Sequence, residues 1–277
     1  MTNYLVRAGK RFAVLIPGII IAYFSVSKVF PWFDKKFPVA LAIFFTYVVG
    51  AYLLIPALLR LLRLIVPAKH LQAYCVTPDG FASDPVNIGI IGGRQQLIDA
   101  MQAAGWSVAD KHSIRNVTKQ IISVLLSEPY ASAPMSSLYL FGRKQDIGFE
   151  IPIEGGTGGQ RHHVRFWATV YKGDDLNFGT IAWHVRRGEV IGDDTLWVGA
   201  ASRDTGFAFI RHNVQITHMI DPNTNAEREL IVDGLKKADL VDSTQSVKIN
   251  APYTLVNRAL LGFLHSDGIL KIISLRA

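Results

Sequence analysis

Two apolar runs near the amino terminus constrain this chain more than any other feature. Residues 12–30 (FAVLIPGIIIAYFSVSKVF) and 39–59 (VALAIFFTYVVGAYLLIPALL) are 19 and 21 residues long. A helix rising about 1.5 Å per residue needs about 20 apolar residues to cross a bilayer's hydrocarbon core. Both runs therefore have the length of a transmembrane span. The first holds one charge, Lys28, near enough to its end to snorkel to the interface. The second holds none. Pro17 and Pro56 fit such helices, because neighbouring groups satisfy the carbonyls they free. The segment PWFDKKFP (31–38) is long enough only for a tight interfacial loop, a depth that suits Trp32, Phe33 and Phe37. A cleaved signal peptide would need a small-x-small site after the first run, and none follows.

Charge is placed unevenly. Residues 1–76 carry nine Lys/Arg and one acid, Asp34, whereas the remainder carries 20 Lys/Arg against 21 Asp/Glu. The basic excess belongs to the anchor, where lipid headgroups account for it. A nucleic-acid partner, which would draw the excess onto the folded part, is not expected. Arg7, Lys10 and Arg11 precede the first span and Arg60, Arg63 and Lys69 follow the second, against Lys28, Lys35 and Lys36 at the loop. That bias places both termini, and the domain that follows, on the cytoplasmic side of a multi-pass membrane protein. The single cysteine, Cys75, has no internal disulfide partner, which suits a reducing compartment.

Beyond the anchor (1–66) and a linker with a Pro78-Asp79-Gly80 turn (67–85), residues 86–277 read as one domain. VNIGII (86–91) reads as a short strand ending at Gly92-Gly93. RQQLIDAMQAA (94–104) sets Leu97, Ile98 and Met101 on one helical face, with Gly105 as its stop, and WSVAD completes a strand–helix–strand-like unit. Ser113 caps a second helix running to about Ser127, with Val117, Ile121, Val124 and Leu125 as its buried stripe. The period then changes to two. SLYLFGRKQDIGFEIP (137–152) reads as a hairpin turning near Gly142–Gln145, and residues 161–170, 195–209 and 215–220 read as strands. A helix over 226–238 starts from the Asp221-Pro222-Asn223 turn, and strands at 246–249 and 269–275 follow. Helices mixed with antiparallel strands predict α+β: a mixed, mostly antiparallel sheet with packed helices, preceded by a two-helix transmembrane hairpin.

Six blocks, DPVNIG (84–89), SLYLFGRKQDIGFE (137–150), RHHVRFW (161–167), LWVGAASRDTGF (196–207), THMIDP (217–222) and AERE (226–229), together resemble the LssY-like C-terminal domain family of bacteria over roughly residues 77–277. The resemblance implies a bacterial membrane-associated protein, since some relatives carry this domain behind multi-spanning modules, including lipid-phosphatase-like ones. It names no chemistry. Relatives often read His-His-Ile where this chain has His218-Met219-Ile220, so a proposal needing two adjacent imidazoles there is weakened.

Alternation along RHHVRFW puts Arg161, His163, Arg165 and Trp167 on one strand face and His162, Val164 and Phe166 on the other. The first set is either a surface ladder paired with acids such as Asp146 or Glu150, or an anion-binding floor of forked guanidiniums and a titratable imidazole. His162 reads as a buried, hydrogen-bonded histidine. Arg228, beside Glu227 at the junction that begins the last helix, is a further ligand-binding candidate. His163, His218 and Asp221 are weak metal candidates; ordinary capping by Asp221 and Glu227 is the simpler reading. Asp204 is a general-base candidate or the closing residue of an Asx-type turn. GIIGG (89–93) lacks the spacing of a dinucleotide loop and reads as a tight strand-to-helix turn, and EGGTGG (154–159) as a hairpin tip. No nucleophile elbow occurs, and Cys75 lacks evident activation.

Two functions are weighed on these residues. One is a membrane-tethered binding or accessory domain whose Arg161, His163, Arg165, Trp167 and Arg228 engage a phosphate, a lipid headgroup or an anionic partner. The alternative is a membrane-anchored hydrolase of phosphoester-type bonds using His163, Asp204 and His218. No cofactor is called for. The expected partners are the lipid bilayer and other membrane or lipid-processing proteins.

Overall fold

The computed structural model describes residues 19–54, 57–58, 71–78, 82–111, 113–126, 128, 130–153, 160–169, 192, 195–210, 215–257 and 262–276. The chain divides into two compact units, Met1–Pro67 with Pro78–Phe81, and Ala68–Thr77 with Ala82–Ala277.

In the first unit two helical arms fold back on each other. One runs from residue 19 through a π-helical turn, Ser25–Val29, into α1 (Phe30–Asp34); the other is α2 (Val39–Val48), continued as a π-helical stretch, Val49–Leu54. Pro31 accounts for the first π turn. It has no N–H for the carbonyl four residues back, and the register loosens so that the Phe30 N–H reaches the Ser25 carbonyl. Phe45 stacks on Phe33 with ring centroids 5.4 Å apart. The outward faces remain apolar: Ile20, Tyr23, Val26, Ile43, Phe44 and Leu53 are all exposed. Among the described residues no helix is long and apolar enough to cross a membrane, so helix length lends the expected spans no support. Residues 12–18, 55–56 and 59 of those runs lie outside the described residues.

The second unit is α+β. Its large sheet runs β11 (Val241–Lys248), β14 (Ile269–Leu275), β3 (Ile88–Ile91), β9 (Leu196–Ile210), β8 (Gln160–Thr169), β7 (Ile147–Pro152), β4 (Ser107–Val108), with β10 (Gln215–Ile220) also on β9. Among the described strand pairs of this sheet, only β14–β3 is parallel. Helices α3 (Arg94–Ala103) and α5 (Thr224–Lys237) cover one face, where Leu97, Met101, Ile231 and Leu235 pack on Ile90, Phe149, Phe166 and Trp197. A small sheet covers the other, in the order β2 (Ala82–Pro85), β1 (Tyr74–Val76), β5 (Tyr139–Leu140), β6 (Arg143–Lys144). There Cys75, Leu138 and Leu140 meet Trp167, Val198 and Ile272. β8 is thus buried on both faces, and the polar residues of its second face cannot form the solvated ladder that was one reading of them.

Several expectations change. Residues 137–152 form two structures, not one hairpin. Phe141 and Gly142, both at positive φ (54° and 73°), turn β5 into β6, and β7 then crosses to the large sheet to pair with β8. The expected linker contains β1 and β2, with Leu71, Cys75 and Asp84 buried. A further hairpin, β12 (Tyr253–Asn257) with β13 (Gly262–Ser266), had no counterpart in the sequence reading. Asn223, not Asp221, caps α5, while Asp221 accepts the Asn223 N–H in an Asx turn. Ser113 does cap α4 (Ile114–Leu125), accepting the Asn116 N–H at 3.1 Å. The side chains of Val117, Ile121, Val124 and Leu125, and residues 79–80 and 154–159, lie outside the described residues.

Gly199 shows how closely the central strands are packed. A Cβ there would lie 2.6 Å from the ring of Phe166, its partner across β8, and 2.8 Å from Ile88 Cγ2. Overpacking of this kind costs about 1–3 kcal/mol. Gly199→Ala is therefore expected to lower the thermal midpoint followed by tryptophan fluorescence; an unchanged midpoint would show that Phe166 yields freely.

Candidate functional site

Three neighbouring strands place polar side chains on the face beneath the small sheet. Pairing of β7, β8 and β9 sets Glu150, His163 and Ser202 in one lateral row, Arg161 opposite Asp204 in the next, and Arg165 opposite Gly148 and Ala200 on the other side. Period-two alternation does the rest, because β8 and β9 continue an apolar set on the same face: Trp167 on β8, Val198 and Ala200 on β9. Asp84 reaches in from β2 of the covering sheet. Glu150, Arg161, His163, Arg165, Asp204 and Asp84 are all buried, none more than 6 % exposed.

The Arg165 guanidinium donates from Nη1 to Asp84 Oδ2 at 2.7 Å, and from Nε and Nη2 to the Ser136 carbonyl and hydroxyl at 3.3 and 3.2 Å. Arg161 donates from Nη1 to Glu150 Oε2 at 2.9 Å and from Nε to Asp204 Oδ2 at 3.4 Å. His163 Nε2 lies 2.8 Å from Ser202 Oγ and 3.3 Å from Asp84 Oδ2, while its Nδ1 is 3.5 Å from Asp204 Oδ2. Two buried atoms stand out among these. Glu150 Oε1 and His163 Nδ1 have no hydrogen-bond partner among the described residues, and both belong to residues lining a cavity of about 70 Å³ that Arg161, Arg165, Asp84 and Asp204 also line. A water needs about 10–15 Å³ of such space, so several waters or a small polar group fit.

Burial acts on every ionisable group here, and the partners decide the outcome. For Asp84 burial pushes the pKa up, but the Arg165 guanidinium and hydrogen bonds from His163 and Ser202 hold it well below the usual carboxylate range. For Glu150 burial wins: despite Arg161, His163 and Arg165, its carboxyl is pushed up from 4.5 to about 7. Burial, reinforced by Asp84, also pushes the Cys75 thiol well above its ordinary value, which keeps it an inert core residue.

The sequence candidates therefore separate. Arg161, His163, Arg165 and Asp204 converge on the cavity, and Asp204 sits in strand β9 where an Asx-type turn had been the competing reading. Trp167 does not line it; the ring is fully buried, with its indole N–H donated to the Arg143 carbonyl at 3.1 Å. Arg228 is committed elsewhere, to Asp267, Glu229 and the Ile269 carbonyl. His162, on the helix side, is half-buried and bonds Glu227 at 2.7 Å. The His218 side chain lies outside the described residues, and Asp221 is held in its turn. Among the described residues no three His, Cys, Asp or Glu side chains are grouped so as to hold a metal ion.

The sequence model of a family described as LssY C-terminus matches residues 68–259. The chain belongs to this family. No curated protein and no solved structure matches it. The LssY C-terminal match begins ahead of β1, so it takes in the covering sheet and Asp84 along with the β7–β8–β9 face. Asp84, Glu150, Ser136 and Ser202 were not named as site residues from sequence. Alternation along LWVGAASRDTGF already put Ser202 and Asp204 on one face, which is the signal that could have found Ser202.

Removing one partner of a buried ion pair costs about 3–5 kcal/mol, because the other charge is left without compensation. Asp84→Ala is expected to destabilise the protein by that order, and Asp84→Leu with Arg165→Met by less than either single change. Additive losses in denaturant unfolding would dissolve the pair. A pH effect follows from Glu150. Its folded pKa is raised, so the stability it contributes is complete below the ordinary 4.5 and is lost as pH rises through about 7. A shift of this size corresponds to about 3 kcal/mol. Glu150→Gln should flatten the unfolding free energy across that range; an unaltered slope would assign it to other groups.

Proposed function

We propose that this protein is a membrane-tethered binding domain that holds a small oxyanion between Arg161, His163 and Arg165. One observation carries the reading: two guanidiniums and an imidazole, fixed in place by buried acids, line a cavity two of whose lining residues, Glu150 and His163, hold buried polar atoms without a hydrogen-bond partner among the described residues. Because Asp84 and Glu150 already hold the guanidinium forks, little side-chain entropy is lost when a ligand arrives. The apolar exterior of the helical hairpin supports the tether, as do the span-length runs 12–30 and 39–59 of the sequence. The Lys/Arg bias supports a cytoplasmic domain at a bacterial inner membrane.

One arrangement favours a hydrolase, with Ser202 Oγ 2.8 Å from His163 Nε2 and Asp204 Oδ2 3.5 Å from His163 Nδ1. Ser202, however, is completely buried and does not line the cavity. A nucleophile that no substrate atom reaches performs no attack, so binding is the better reading.

Ligand that binds only the folded state stabilises it by RT ln(1 + [L]/Kd), about 2.7 kcal/mol at 100 times Kd. Millimolar inorganic phosphate is expected to raise the melting temperature of the wild-type protein near pH 6.5, and Arg161→Ala to abolish the rise. Absence of any shift with phosphate, sulfate or short-chain anionic lipid between pH 5.5 and 8.5 sinks the binding reading. The tether is tested separately: the full chain should resist extraction by high salt and alkaline carbonate and yield to detergent. Release by salt alone overturns it.

A further inference from the structure

We propose that the cavity takes up its oxyanion together with one proton, held between Glu150 Oε1 and the ligand, and so selects phosphate groups that can carry a proton. The proposal rests on the anion-binding reading above and specifies its ligand. It starts from a mismatch in the site. A cavity built only to hold an anion would be lined by donors, yet two guanidiniums here face three carboxyl groups: Asp84, Glu150 and Asp204. Asp84 is committed to Arg165, and Glu150 Oε2 to Arg161. Glu150 Oε1 remains, a buried oxygen without a partner among the described residues, on a residue that lines the cavity.

The groups acting on Glu150 come from every side. β8 contributes Arg161, His163 and Arg165, β9 contributes Asp204, and β2 contributes Asp84 through the same cavity. Its partner on β4 is the uncharged Ser107. A ligand oxygen brought to Arg161 and Arg165 comes up against Glu150 Oε1, where lone pair would oppose lone pair. A buried carboxylate facing a fully ionised oxyanion is a like-charge contact without solvent to screen it. One proton on that line converts the repulsion into a charge-assisted hydrogen bond. Either partner can supply it. A hydrogen phosphate donates its own P–OH to Glu150, whereas an ion without a proton binds only when Glu150 is itself protonated. Inorganic phosphate keeps a P–OH across neutral pH, and phosphate monoesters, with a second pKa of about 6, keep theirs on its acid side. Sulfate and phosphate diesters do not.

Matching sizes make phosphate and sulfate the informative pair. Binding of each to the full-length protein in detergent is measured by calorimetry from pH 5.5 to 8.5. Both anions are expected to bind at pH 5.5. Above Glu150's value of about 7, sulfate affinity should fall roughly tenfold per pH unit, since each bound ion then needs a proton taken from solvent. Inorganic phosphate, which keeps a proton throughout this range, should lose far less. Glu150→Gln supplies a permanent amide donor and should make sulfate binding independent of pH. Should that variant fail to fold, the wild-type pH series decides alone. A further arm compares short-chain phosphatidate with inorganic phosphate at pH 5.5, where both carry a proton. Phosphatidate bound more tightly than inorganic phosphate supports the proposal with a lipid monoester as ligand, and equal binding supports it with free phosphate. Sulfate held as tightly at pH 8.5 as at pH 5.5 overturns it. So do phosphate and sulfate bound with the same pH dependence, although the anion site itself then stands. Binding of neither anion at any pH removes the underlying reading and the proposal with it.

Discussion

The ion pair between Asp84 and Arg165, 2.7 Å long, fastens the small sheet to the large one at the place where the core stops being apolar. β8 lies inside the second unit, with helices against one face and the small sheet against the other. Near its end the second face is closed by Trp167 against Leu138 and Leu140. Near its start the same face carries Arg165, His163 and Arg161, side chains that cannot be desolvated alone; an unpaired buried charge costs several kcal/mol. The covering sheet must therefore bring an acid to one place. β2 does so through an irregular register, pairing Val76 with Ala82 and Tyr74 with Pro85, which leaves Asp84 turned inward. Position of the covering sheet, burial of Cys75 beside it and closure of the cavity all follow from that contact.

Features governed by short-range physics were legible in the sequence. Alternation located β8 and β9 and sorted Arg161, His163 and Arg165 onto one face, and the hydroxyl of Ser113 announced a helix start. What stayed hidden depends on partners distant in sequence. Asp84 lies in a stretch of turn residues that reads as linker, and nothing local says that Arg165, 81 residues on, will reach it. The two-residue ladder of β5 and β6 is too short to show a period, so its separation from β7 could not be seen. Arg228 looked available because its acid, Asp267, lies 39 residues on, in the turn between β13 and β14, and nothing local links the two. Trp167 was sorted to the correct face but assigned to the site, since alternation fixes a direction and not the depth along a strand.

The buried network is not the most stabilising way to fill its space. Replacing buried ion pairs with well-packed apolar side chains is often neutral or favourable by about 1–4 kcal/mol, because desolvation offsets most of the Coulomb attraction. Stability alone therefore does not account for two arginines, a histidine and three carboxyl groups under a small sheet. Nor does the network close upon itself, as a purely structural one should, since Glu150 Oε1 and His163 Nδ1 are left over beside a cavity. An unsatisfied buried polar atom costs about 1–3 kcal/mol. That cost is removed only by a partner, whether ordered water or ligand, in the space those residues line. The acids carry the same logic further. Under the anion-binding proposal, the acids that hold the guanidiniums would fix the direction of binding in advance, and those beside the cavity would penalise a ligand that arrives with charge and no proton. Rigidity and selectivity would then come from the same residues, at a stability cost that the apolar face of β8, packed under α3 and α5, is positioned to offset.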